Sequence, residues 1–310
     1  MATVTRNLAG VGIQETKKFL DSFDVVFSDC DGVLWDFSAH IDGAVESLKK
    51  LQDLGKRIYF VTNNSVARVE HYCMKIRKLG LDIKPEQFIN TAAVVTSYLK
   101  KIDFQGEIFT IASTPFRQTL MNAGFKLAKP GPEVSENDLP GALRNVQDQK
   151  SIKAVVMDVD VDCNWAKMAF AISCLKREDC LYLSGAIDEW VIYDTNTKIL
   201  GPGPLRDVVT RQSGRTPTEF GKPSEILRDV IFEMFKLEDP NRCLFIGDTT
   251  NQDMKFGSLC GFQKLFVDSG CDRLEEAQQS ENTMPDYYLP SLGDLNPLLD
   301  SLHNSTTNGV

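Results

Sequence analysis

The chain has no C-x-x-C pair and only three histidines, His40, His71 and His303, none at metal-ligand spacing from another. This excludes the usual zinc sites, which need paired Cys or His ligands. Its eight cysteines, at positions 30, 73, 163, 174, 180, 243, 260 and 271, are scattered. Disulfide scaffolds belong to short secreted chains, so reduced and mostly buried thiols in a cytoplasmic protein are expected. Long apolar runs are also missing. IKAVVM at 152–157 is among the longest, far below the ~20 residues that span a bilayer. The first twenty residues contain no continuous apolar stretch, which predicts no secretory leader and makes the sequons at 63–65 and 304–306 accidental. Positive charge is in deficit, with a net charge of -9. An acidic surface repels phosphate backbones, which excludes a general nucleic-acid binder and leaves room for a pocket that holds one small phosphate. Internal repeats and low-complexity linkers are absent as well.

What is present is a globular composition, 42% hydrophobic, over 310 residues, enough for about two domains. DVVFSD at 24–29 reads as a buried strand that ends in a polar turn. A helical period follows over 42–55, with Asp42 as N-cap and Gly55 as stop. KRIYFVTNNS at 56–65 is a second strand, and helices are expected over 66–79 and 91–101. Strands alternating with helices predict a parallel sheet covered on both faces. The middle of the chain carries the strands EIFTIAS (107–113), KAVVMDV (153–159) and LYLSG (181–185) and reads as a smaller α/β unit. The first pattern then resumes with a helix over 224–237, a strand over 242–248, a helix near 251–260 and a strand over 263–269. An insertion explains this order better than two domains in tandem.

Four polar clusters follow or lie near the strands. In SDCDGVLW (28–35), Asp29 and Asp31 sit at a strand's carboxyl end, where open α/β sheets bind ligands. Taken alone, D-x-D-G also suits calcium loops and ordinary turns. In FVTNNS (60–65), the Thr62 hydroxyl and the following amides can donate to phosphate oxygens, although Thr and Asn are common turn formers too. FGKPSE (220–225) places Lys222 before a helix, as a point charge for an anion or as a solvated surface lysine. LFIGDTTNQD (244–253) supplies Asp248 and Asp253. Four carboxylates converging on one crevice would repel unless a cation offset them, and oxygen-only ligands beside a phosphate favour magnesium.

Together DCDGVLW (29–35), VTNNS (61–65), GKPS (221–224) and GDTTNQD (247–253) resemble the four ordered motifs of the haloacid dehalogenase superfamily. More narrowly, they resemble its branch of p-nitrophenyl phosphate, phosphoglycolate and pyridoxal phosphatases. The resemblance implies a Rossmann-like parallel-sheet core, residues 1–99 and 219–310, and a large inserted α/β cap, residues 100–218, that sets substrate specificity. It implies a Mg2+-dependent phosphatase of small phosphomonoesters that works through an aspartyl-phosphate. Asp29 would be nucleophile and metal ligand, and Asp31 general acid and then base, with its carbonyl on the metal. Thr62, Asn63 and Asn64 would hold the phosphoryl group, and Lys222 would screen charge. Asp248 would complete the metal ligands, with Asp253 orienting the site from behind them. The partner would be a small phosphorylated metabolite, with neither nucleic acid nor membrane, and the resemblance implies a homodimer paired through the caps.

The departures lie mainly in the cap. VVMDVD (155–160) carries Asp158 where the family usually has Gly, and SGAID (184–188) has Ala186 within a segment that lost its Thr and Asn but kept Asp188. In the fourth motif Asn251 replaces the usual acidic residue. Asp158, Asp160 and Asp162 invite a calcium-loop reading, but the central Gly and terminal Glu are missing, so strand alternation is expected. Cys30 reads as a small buried side chain, or as a thiol whose oxidation would disturb its neighbours. Two other functions stay open on the sequence: a catalytically weak phosphometabolite sensor, and a phosphoserine protein phosphatase, for which a large cap is a steric handicap.

Overall fold

The computed structural model describes residues 4–36, 39–135, 137–194 and 197–307. Among these, seven strands form the larger sheet. Their order across it is Arg6–Asn7, Tyr287–Leu289, Gln263–Val267, Cys243–Gly247, Val25–Ser28, Arg57–Thr62, Phe88–Asn90. Every pairing in it is parallel. Parallel strands covered on both faces must be apolar throughout, and every residue of Val25–Ser28 and of Cys243–Gly247 is buried. Alternation assigns the faces: Val26 packs with Leu48, Leu51 and Ile76, whereas Val25 and Phe27 pack with Phe245 and Phe262. The Phe27 and Phe262 rings stack at 5.2 Å.

From Val25–Ser28 the chain winds outward through Arg57–Thr62 to Phe88–Asn90, and from Cys243–Gly247 it winds the other way. The reversal opens a crevice at the carboxyl ends of the two central strands, where Asp29 and Asp248 begin.

A second sheet uses residues from the middle of the chain, in the order Thr218–Glu219, Leu181–Ser184, Ile152–Met157, Glu107–Ile111, Lys126–Leu127, again parallel. A separate antiparallel hairpin, Trp190–Asp194 with Thr197–Leu200, follows its strand Leu181–Ser184. The helix Thr91–Lys101 starts where Asn90 accepts from the Ala93 amide, and its Ala92, Val95 and Leu99 join one hydrophobic cluster with Ile108, Val156 and Leu183. The two sheets therefore share apolar packing along this helix. It spans residues 99 and 100, and the strand Thr218–Glu219 spans 218 and 219.

The expected N-cap at Asp42 is not what forms. The helix runs Ala44–Asp53, with Gly43 in the N-cap position at φ 71° and no side-chain cap. Packing from the far end of the chain explains the difference. A Cβ on Gly293 would lie 2.0 Å from the Asp42 carbonyl oxygen, and Asn296 donates to the Gly43 carbonyl at 3.0 Å.

Candidate active site

One cavity of about 560 Å³ lies at the crevice, lined by Asp29, Asp31, Thr62, Asn63, Asn64, Lys222 and Asp248, with Asp253 fully buried behind it. All the residues named from the sequence as site residues are thus brought to one place.

Asp29 follows the strand Val25–Ser28, and its amide donates to the Ile246 carbonyl at 2.9 Å, fastening it to the neighbouring strand. Its Oδ1 accepts from the Cys30 amide at 2.7 Å and from Lys222 Nζ at 2.9 Å. Lys222 is 1% exposed and also reaches Asp253 Oδ1 at 2.7 Å. Burial works against its charge, but Asp253 and Asp29 outweigh that and hold its pKa above the usual lysine value. Asp253 is saturated: its Oδ2 accepts from the Asp248 amide, the Thr249 amide and the Thr249 hydroxyl. A carboxylate with both oxygens committed positions its neighbours.

Asp248 is wedged between glycines. A Cβ on Gly32 would come within 2.3 Å of Asp248 Oδ2, and one on Gly270 within 1.9 Å. Gly32 also adopts φ +78°, a conformation that favours glycine. Asp248 Oδ2 accepts from the Cys271 amide at 2.7 Å, whereas Oδ1 is buried without a hydrogen-bond partner among the described residues. Asp29, Asp248 and Asp253 each offer an oxygen within 4.8 Å of the others. Burial first, and then the neighbouring carboxylates, push Asp248 well above the usual carboxylate range. Asp29 is raised likewise, by burial first and against the pull of Lys222. Lys222 offsets one of these three negative charges and does so at Asp29 and Asp253, which leaves Asp248 Oδ1 buried with neither a cation nor a donor among the described residues. The donors are all hard oxygens, so the set suits Mg2+.

Asp31 has one donor on each oxygen, Trp35 Nε1 at 2.9 Å and Asn64 Nδ2 at 3.0 Å. Burial raises its pKa against these two bonds. Asn64 is itself held, its Oδ1 accepting from the Val66 amide and the Tyr72 hydroxyl. Asn63 Oδ1 accepts from the Lys222 amide at 2.8 Å, and its Nδ2 donates to the Lys222 carbonyl and to Gln252 Oε1. Both asparagine side chains are therefore engaged with protein partners and fix Asp31 and Lys222. The Thr62 hydroxyl accepts from the Asn64 amide at 3.0 Å, which leaves its proton free to donate.

Several contributors were not anticipated. Trp35 and Tyr72 stack at 6.2 Å behind Asp31, with Lys75 Nζ 3.9 Å over the Trp35 ring. Trp35 stands inside the first motif, so a donor four residues after Asp31 was a readable signal. Gln252 bridges Asn63 to Asp188, donating to Asp188 Oδ1 at 3.0 Å. Asp158 is buried and accepts from Ser65, Thr91, the Val159 amide and the Ala186 amide. It joins the smaller sheet to the loop that carries Asn64. Asp160 pairs with Lys167 at 2.8 Å and Asp162 is exposed, so the three aspartates do not converge into a calcium loop. Cys30 is fully buried, and burial with Asp29 and Asp31 lifts its pKa well up, which opposes thiolate reactivity.

Comparison with known proteins places this geometry. A family model described as haloacid dehalogenase-like hydrolase matches residues 26–126, and a second model of the same kind, HAD-hydrolase-like, matches residues 219–295. Chronophin from Bos taurus is 32% identical over 281 residues, covering 87% of this chain and 91% of its own. Glycerol-3-phosphate phosphatase from Mus musculus is 28% identical over 303 residues, covering 92% and 94%. The solved structure of a 4-nitrophenylphosphatase from Thermotoga maritima superposes with a TM-score of 0.73 over 91% of this chain and 98% of that one, at 22% identity, which supports the likeness of fold. Bovine chronophin's identity and coverage, joined to the two family matches over the strands that carry Asp29 and Asp248, establish that the chain belongs to the haloacid dehalogenase-like hydrolase family.

Proposed function

We propose that the chain is a Mg2+-dependent phosphatase that hydrolyses small phosphomonoesters through a phosphoryl group carried on Asp29. The observation that carries this reading is the pairing of Asp29, with Oδ1 committed to the Cys30 amide and Lys222, and Asp248, with Oδ1 buried and without a partner among the described residues. Asp29, the Asp31 carbonyl and Asp248 would hold the ion, which when bound would offset the charge of the carboxylates and the phosphate.

Asp29 attacks phosphorus through Oδ2, the oxygen left by the contacts on Oδ1. Lys222, buried and charged, offsets the repulsion between two anions, and Asp253 keeps its ammonium in place. Thr62 donates its free proton to a phosphoryl oxygen. Asp31, held by Trp35 and Asn64, gives its proton to the departing alkoxide. It then takes a proton from water as that water attacks phosphorus and frees Asp29. Residues 100–218 act as the cap that closes over this chemistry and selects the alcohol.

The eight cysteines are free, which suits a reducing cytoplasm, and no described helix is long and apolar enough to cross a membrane. Exposed apolar side chains such as Leu139 and Trp165 favour pairing between caps. Light scattering tests that pairing. For the enzyme itself, Asp29→Asn should abolish turnover of phosphomonoesters in Mg2+ while leaving the unfolding curve cooperative. Turnover surviving in a pure Asp29→Asn preparation overturns the proposal.

A further inference from the structure

Asp31 is held on one oxygen by Asn64, and what holds Asn64 lies partly in the smaller sheet. Asn64 Oδ1 accepts from the Val66 amide at 3.0 Å and from the Tyr72 hydroxyl at 2.9 Å, so its Nδ2 must face Asp31 Oδ2. The Val66 amide and the Ser65 carbonyl belong to one peptide group. That carbonyl accepts from the Ser113 hydroxyl at 2.8 Å, and the Ser65 hydroxyl donates to Asp158 Oδ1. Ser65 is therefore gripped at both its backbone and its side chain, and it is buried. The two residues that grip it stand just beyond neighbouring parallel strands of the smaller sheet, Glu107–Ile111 and Ile152–Met157.

Asp158 is itself fixed independently of Ser65. The Val159 amide donates to Oδ1 at 2.7 Å, the Ala186 amide to Oδ2 at 2.9 Å and the Thr91 hydroxyl to Oδ2 at 2.7 Å. Room for the carboxylate exists because residue 185 has no side chain: a Cβ on Gly185 would lie 2.0 Å from Asp158 Oδ2. The two places where the cap departs from the family pattern, Asp158 and Gly185–Ala186, thus fit each other. Together they put an immobile acceptor where the Ser65 hydroxyl can reach it.

Resting on the phosphatase reading above, we infer that Asp158 is a positioning residue for the proton transfer at Asp31: by fixing Ser65 it fixes the Asn64 side chain, and with it the carboxyl that protonates the leaving oxygen. As Asp29 bonds to phosphorus and the bond from phosphorus to the leaving oxygen breaks, the proton of Asp31 passes to that oxygen. A loosened Ser65 costs rate only where this proton is needed, because attack by Asp29 does not depend on Asn64.

The test measures kcat/KM in Mg2+ for 4-nitrophenyl phosphate and phenyl phosphate, which share a ring and differ in how readily the phenolate leaves unprotonated. This ratio reports the steps up to release of the phenol, so the later work of Asp31 as base does not enter. Ser65→Ala and Asp158→Asn should each lower phenyl phosphate turnover by about tenfold and 4-nitrophenyl phosphate by at most about twofold. Thr91→Ala takes a donor from the same carboxylate but leaves Ser65 in place, and should keep the ratio of the two substrates within about twofold of wild type. In an Asp31→Asn background, adding Ser65→Ala should no longer move that ratio. Equal losses on both substrates, a shift in Thr91→Ala as large as in Ser65→Ala, or a Ser65→Ala effect that persists in Asp31→Asn overturns the positioning role alone. Where Asp158→Asn does not fold, Ser65→Ala alone decides. Wild-type protein that hydrolyses neither substrate overturns the phosphatase reading beneath it.

Discussion

Replacing Asp158 by Ala should destabilise the protein more than removal of almost any other acidic side chain outside the catalytic set. Its Oδ1 accepts from the Ser65 hydroxyl and the Val159 amide, and its Oδ2 from the Thr91 hydroxyl at 2.7 Å and the Ala186 amide at 2.9 Å. In the Ala variant both hydroxyls can rotate to other acceptors. The two amides cannot turn and stay near the bottom of the cleft without partners, at about 1–3 kcal/mol each. Part of this loss is offset because the carboxylate is itself costly to bury, and a net loss of about 2–4 kcal/mol is expected at pH 5. Burial raises the Asp158 pKa, against the pull of Ser65, Thr91 and the two amides. The stability it contributes is therefore complete below the unfolded value of about 3.9 and is lost as pH rises through the folded pKa. Urea unfolding of wild type, Asp158→Ala and Asp158→Asn at pH 5 and pH 7 checks both points, since Asn cannot titrate. The wild type's advantage over Asn should shrink as pH rises. An Ala variant within about 0.5 kcal/mol of wild type at pH 5, or an advantage that grows with pH, refutes the reasoning.

Lys222→Met leaves Asp29 and Asp253 facing each other without their shared cation and should cost about 3–5 kcal/mol in metal-free protein at neutral pH. The loss should be smaller in acid, where Asp29, already raised by burial and then raised further, takes up its proton; chemical denaturation at pH 5 and pH 8 measures it. Gly270→Ala would drive a Cβ against Asp248 Oδ2, and calorimetry should find Mg2+ binding weakened by about tenfold or more. Wild-type affinity in that variant would contradict the place given to Asp248.

The strands at 25–28, 57–62, 243–247 and 263–267 and the helix Thr91–Lys101 were legible because their signals are local: apolar runs ending in polar turns, and a helical stretch following a strand. The motif residues were legible for the same reason, each following or lying near a strand. What could not be read is pairing across long separations. Asp158 looked like one step of an alternating strand, while its partners Ser65 and Thr91 lie 93 and 67 residues earlier. Asn63 and Asn64 are read from the sequence as part of a stretch whose amides can meet a phosphoryl group, and that reading says nothing of where their side chains go. Their engagement with Lys222, 159 residues away, and with Asp31 depends on how the sheet winds. Asp42 failed as a cap because a distant segment packs on this turn, with Asn296, 253 residues beyond Gly43, bonded to the Gly43 carbonyl. The paired strands Trp190–Asp194 and Thr197–Leu200 do carry a local signal, β-branched and aromatic residues on either side of a polar stretch.

The central claim is that phosphoryl transfer goes through Asp29, and Asp31→Asn isolates that step. With 4-nitrophenyl phosphate the leaving group needs little protonation, so attack by Asp29 survives, but the base for hydrolysis is gone. Rapid quench with radiolabelled substrate in Mg2+ should trap a phosphoryl group stable to acid, released by hydroxylamine, and carried on the peptide that contains Asp29. Nitrophenol released at a steady rate, with no label on the protein at any time, would contradict the account and assign the attack to water.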